Sequence, residues 1–97
     1  MKWINDPGHG WLEVRTRVLY DILGDDVAKI SGYSSLSNDG KFSYLEEDCD
    51  ATVFIDAYGR DKFKALNVPD TYVERTPIRE EYPPFDPNWV LLYGHLL

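Results

Sequence analysis

The stretch Asn38-Asp39-Gly40 stands between two segments that each carry apolar residues at close intervals. Asn, Asp and Gly are the residues that accept the positive φ angles of a tight reversal. Lys29 to Ser37 presents Ile30, Tyr33 and Leu36, and Lys41 to Glu47 presents Phe42, Tyr44 and Leu45. The pattern predicts an antiparallel hairpin over residues 29–47. A lone hairpin is marginal in water, so the flanking sequence has to extend the sheet and cover it.

On the N-terminal side, Asn5-Asp6-Pro7-Gly8 is dense in turn formers, and residues 3–10 read as a loop. Trp11-Leu12-Glu13-Val14 follows as a short strand. Val14, Val18 and Ile22 then recur every four residues with Leu19 and Leu23 beside them, which gives a helix from Thr16 to Leu23 one apolar face. Thr16 is the expected N-cap and Gly24 the left-handed stop. Asp25-Asp26 start a further turn that points Val27 and Ile30 inward. Beyond the hairpin, Asp48 or Asp50 is expected to cap a helix carrying Ala51, Phe54, Ile55 and Tyr58 on one side, ended by Gly59. Phe63 to Val68 has no decisive pattern, and Thr71-Tyr72-Val73-Glu74 reads as a last strand. This order predicts an α+β domain over residues 1–79: a small antiparallel sheet, split βαβ-like, with two helices packed on one face.

Residues 80–97 change character. Tyr82-Pro83-Pro84-Phe85-Asp86-Pro87 is expected to form no regular structure, because each proline removes a donor and fixes φ. Trp89-Val90-Leu91-Leu92-Tyr93 is too apolar to hang free and has to dock, on the parent fold or on a second copy in a homodimer. The segment is too short to cross a bilayer, which takes ~20 residues.

Charge narrows the partners. Seventeen acids against ten bases leave −7 at neutral pH, which repels phosphate backbones and anionic membranes and attracts a basic protein surface. Cys49 is the only cysteine, so no internal disulfide is available, as suits a reducing cytoplasm. No basic start followed by an apolar run marks a signal peptide.

Three groupings bear on chemistry. Asp6-Pro7-Gly8-His9-Gly10 is similar to the string that supplies a zinc-ligand histidine in N-acetylmuramoyl-L-alanine amidases, and that resemblance makes a small zinc hydrolase using His9 the alternative reading. A catalytic zinc needs three protein ligands, however, and His95 is the only other histidine. Trp11 also stands where the string has a second glycine. The loop is otherwise a surface turn in which Gly8 and Gly10 take unusual φ values. Glu46-Glu47-Asp48-Cys49-Asp50 places four carboxylates at a strand-to-helix junction, where acids meet the positive end of the helix dipole. Cys49 among them lacks a neighbouring base and reads as a small buried residue.

Four blocks in order also carry a longer resemblance: Asp6 to Val14, Lys29 to Ser34, Tyr44 to Ala51 and Pro77 to Arg79. They resemble a group of small proteins encoded by phages and other mobile elements. The resemblance implies an accessory protein, with no catalytic residue to carry over. The expectation is a non-enzymatic acidic binder in the host-cell cytoplasm, without metal or cofactor. It would occupy a basic surface of a host or viral protein, as an inhibitor of anti-CRISPR or anti-restriction type. A structural subunit of a virion is a further reading. The residues expected to meet the partner are Glu46, Glu47, Asp48 and Asp50, then Asp25 and Asp26, with Trp89 and Tyr93 of the C-terminal segment.

Overall fold

The computed structural model describes all residues, 1–97. The chain is α+β, built on a five-stranded sheet. Strands β1 (Lys2–Asn5), β2 (Gly10–Arg15), β3 (Ser35–Leu36), β4 (Phe42–Glu46) and β5 (Asp70–Tyr72) lie in the order β3-β4-β2-β1-β5. The pairings are antiparallel except β1–β5, which is parallel, so the sheet is mixed.

β1 falls where a loop was expected. Trp3 packs into the core under the helices while Ile4 joins the cluster on the opposite face. A strand covered on both faces shows no polar/apolar alternation and escapes a pattern search. Only Asp6–His9 remains as the loop, closing a hairpin in which Asn5 faces Gly10.

Helix α1 (Thr16–Leu23) leaves β2 without a connecting residue. Thr16 is therefore not the N-cap; Arg15 holds that position. Thr16 N–H donates to the Lys41 carbonyl (2.9 Å), and its buried hydroxyl bonds to that of Ser43 (2.8 Å). The start of β4, beside β2 in the sheet, supplies what a side-chain cap usually supplies. Gly24 stops the helix at φ +52°, and a 3₁₀ turn (Gly24–Lys29) buries Val27. Helices α2 (Asp50–Tyr58) and α3 (Arg60–Ala65) are separated by Gly59 at φ +107°.

The two faces of the sheet are covered differently. Leu12, Val14, Leu36 and Leu45 pack against Leu19, Leu23, Val27, Ala51 and Phe54 of the helical layer. On the other face Trp11 and Tyr44 meet only a strap, the short helix α4 (Pro77–Glu80) with Tyr82, through Ile78.

The proline segment is ordered by the sheet. Pro83 carbonyl accepts from Leu36 N–H (3.0 Å) and Phe85 N–H donates to Ser34 (2.8 Å), while Pro84 pairs with Ser35 as an isolated bridge. The groups used are the ones a proline run still possesses, so Pro84's missing donor costs nothing at this edge. Asp86 then caps α5 (Pro87–Tyr93), accepting from Asn88 N–H (3.0 Å) and Trp89 N–H (3.2 Å), with Pro87 in the first turn. Val90 and Phe85 enter the same core as Leu12. A second 3₁₀ turn (Gly94–Leu96) follows, fixed to α1 where Arg17 donates to the His95 carbonyl (2.7 Å). No helix is long and apolar enough to cross a membrane.

Candidate functional site

The feature that gathers chemically capable side chains is a cleft of about 530 Å³ on the strap side of the sheet. The β1–β2 loop brings His9 to it, and β2 brings Trp11. The turn before β3 contributes Gly32 and Tyr33, the end of β4 contributes Glu46, Asp48 and Cys49, and the strap contributes Ile78, Arg79 and Tyr82. Four separate stretches of the chain, within 6–14, 29–34, 44–51 and 77–79, thus supply lining residues.

One wall is built around Asp6. Its carboxylate accepts from the backbone N–H groups of Gly8 (3.0 Å) and His9 (2.8 Å), which folds the loop back on itself. It lies 3.9 Å from His9 Nδ1 and 3.9 Å from Arg79 Nη1, tying loop to strap. The His9 ring stacks on Trp11 with centroids 5.6 Å apart and planes 12° from parallel. Neither Gly8 nor Gly10 has a positive φ, contrary to expectation. Gly10 is required for another reason: a Cβ there would overlap the Glu47 carboxylate and come within 2.8 Å of Asn5 Oδ1.

The opposite wall is acidic. Glu46 Oε2 accepts from the N–H groups of Asp48 (3.0 Å) and Cys49 (3.1 Å) and from the Cys49 thiol (3.1 Å). Partial burial, that thiol–carboxylate bond and the charge of Asp50 push the Cys49 thiol up to about 11. It is held as a thiol at neutral pH, the reverse of what a nucleophile needs. Cys49 is also exposed, not buried as its residue type suggested.

Asp50 departs most from expectation. It neither caps α2, whose N-cap is Cys49, nor lies at the surface; it is 3% exposed. Its carboxylate accepts from Ser31 N–H (3.0 Å), Ser31 Oγ (2.7 Å) and Ser34 Oγ, pinning the turn that holds up Tyr33. Sequence order hides this, because donors and acceptor lie 16 to 19 residues apart.

The other expected contact residues are scattered. Glu47 and Asp48 are exposed and make no ion pair. Asp25 and Asp26 sit on the 3₁₀ turn after α1, with Asp26 bound to Lys29 (3.6 Å), and do not line the cleft. Trp89 and Tyr93 belong to α5, their rings 5.5 Å apart, with Trp89 laid over Gly40. Conversely, the sequence reading missed Tyr33, Arg79 and Tyr82. Tyr33 looked like an inward strand position, yet β3 begins only at Ser35 and Tyr33 is 81% exposed. The signal available was its setting, Ser31-Gly32-Tyr33-Ser34, where a lone aromatic stands in a polar turn.

A catalytic zinc needs three protein ligands in convergence. His9 has no such company: no group of three His, Cys, Asp or Glu side chains is arranged to hold a metal ion, and His95 is on the second 3₁₀ turn. The cleft's assets are instead exposed aromatic surface, two unneutralised carboxylates and one arginine. Comparison of the chain with protein-family models, curated proteins and solved structures gives no match.

Proposed function

We propose that this chain is a non-enzymatic binding protein whose strap-side cleft and acidic rim occupy a basic surface of a protein partner. The observation that carries this reading is the meeting of exposed Tyr33 and half-buried Tyr82, over a floor of buried Trp11, with Glu46 and Asp48 in one cleft, with unpaired Glu47 beside it. Aromatic side chains give contact area at low entropic cost, and unpaired rim carboxylates steer a cationic partner in. The protonated state of Cys49 supports binding over covalent chemistry. The net charge of −7 favours a protein that itself handles nucleic acid. The resemblance to mobile-element proteins makes that partner a host or viral factor in the cytoplasm, inhibited by occupation of its surface.

The test is affinity capture from a host-cell lysate on the immobilised chain, in parallel with Tyr33→Ala and with Glu47→Lys/Asp48→Lys. The captured protein should be lost or reduced on both variants. It should also elute from the wild type at about 1 M NaCl, where the Debye length is only ~3 Å. Circular dichroism should show both variants folded, since all three residues are exposed. Equal retention on all three surfaces, indifferent to salt, removes this reading.

A further inference from the structure

Helix α5 is covered on one side only. Val90 reaches the core, while Leu92 is 64% exposed and Tyr93 47%. The 3₁₀ turn that continues it leaves Leu96 71% and Leu97 36% exposed. Leu92 and Tyr93 end α5 and Leu96 stands on the 3₁₀ turn that directly continues it, so the exposed apolar side chains follow one another along a single C-terminal segment. Other exposed large apolar residues, such as Met1, Ile22 and Leu66, belong to separate elements and need no explanation.

The side chains of this segment are also electrically distinct. From Pro87 to Leu97 there is no Asp, Glu, Lys or Arg, in a chain of net charge −7. Two copies repel over most of their surface, and here they approach with least opposition. The four apolar side chains present on the order of 400 Å², the size at which an exposed patch marks an interaction site. Doubled about a two-fold axis and rimmed by Asn88 and Trp89, that reaches the ~1,000 Å² at which specific interfaces begin.

We propose that a second copy of this chain occupies this face, forming a weak isologous dimer in which Leu92 and Leu96 of each copy pack across the axis. None of the cleft residues takes part, so the dimer leaves the cleft open and stands independently of what the cleft binds. Its salt dependence is the reverse of the cleft's. An interface free of acidic, lysine and arginine side chains, between like-charged bodies, tightens as salt screens their repulsion, whereas capture of a basic partner weakens.

Sedimentation equilibrium on the full chain from about 1 μM to 1 mM, spanning the range of weak association, tests this at low and high NaCl. The expected result is a mass rising from monomer to dimer, at lower concentration in higher salt. Leu92→Glu/Leu96→Glu should raise the dimer dissociation constant more than about tenfold. Leu92→Ser should do so in part, without added charge. Both variants should melt as folded proteins, because both positions are exposed. A monomer throughout overturns the proposal. So does a dimer that both variants leave intact, or one that dissociates as salt rises.

Discussion

Gly10 and Gly8 flank the same histidine, and the structure asks different things of them. A Cβ at Gly10 meets Asn5 Oδ1 at 2.8 Å and the Glu47 carboxylate closer still; Glu47 can swing away, but Asn5 is held in the hairpin. Gly8 has only Arg79 Nη1 within reach, at 3.8 Å. Gly10→Ala should therefore cost about 1–3 kcal/mol by overpacking, and Gly8→Ala within ~0.5 kcal/mol, as read from urea midpoints. Cys49 yields a pH prediction. Its thiol is raised from 9.0 to about 11, and the Tyr44 phenol is raised above its ordinary value by burial and by the Glu13 carboxylate. At pH 8 iodoacetamide should alkylate Cys49 on the order of a hundredfold more slowly than a free thiol, with the rate rising toward about pH 11. Glu46→Gln should bring that midpoint down. The native state holds both protons above the pH at which the unfolded chain releases them. Stability is thus complete below about pH 9 and falls as pH rises through about 11. Alkaline melts of wild type and Tyr44→Phe would show whether the loss is shared between them.

Among the elements, α1, β2 and β4 were legible from sequence and β1 was not. Helix α1, its stop at Gly24 and the reversal at residues 38–40 follow from periodicity and turn chemistry, because each has one buried side and one wet side. β1 is buried from both sides by Trp3 and Ile4, and so it carries no alternation. Half of the cleft was equally hidden. Its acids announce themselves as a run, but the strap that faces them depends on Ile78 finding Trp11 across more than sixty residues. The proline segment misled for a different reason. A proline run cannot form a ladder by itself, yet it can complete one side of an existing edge, and β3 offered that edge. α5 depends on this placement, since Phe85 and Val90 enter the core on either side of the Asp86 cap. Val90→Ala should cost about 2 kcal/mol in lost burial and residual cavity, and Asp86→Ala about 1 kcal/mol for the lost cap. Thermal or urea melts in which neither change registers would mean that α5 rests on the surface without stabilising the fold.

At the scale of the whole molecule, charge sets the conditions under which every other interaction is read. Ion pairs offer little relief: Arg17–Asp21 (3.0 Å), Lys29–Asp26 (3.6 Å) and Arg75–Glu80 (3.2 Å) are all solvent-exposed, and such pairs are worth ~0–1 kcal/mol. A net charge of −7 on a body whose Cα radius of gyration is 12.4 Å therefore opposes the compact state, as it opposes contact between copies. Adding NaCl screens this long-range repulsion more than it weakens the few close pairs, because the Debye length at 0.1 M is ~10 Å, comparable to the molecule's own radius. The melting temperature should rise by a few degrees between about 0.02 and 0.2 M NaCl, since a gain of 1 kcal/mol shifts a domain of this size by ~4–8 °C. Chloride is the right anion for this measurement; sulfate stabilises by exclusion from the surface and would confound it. Because dimerisation also strengthens with salt, the melts belong at low micromolar concentration and should be repeated on Leu92→Glu/Leu96→Glu. That variant carries two more negative charges and no dimer face, so its melting temperature should climb more steeply with salt than the wild type's. A flatter climb would show that association, and not screening within one chain, is what salt acts on.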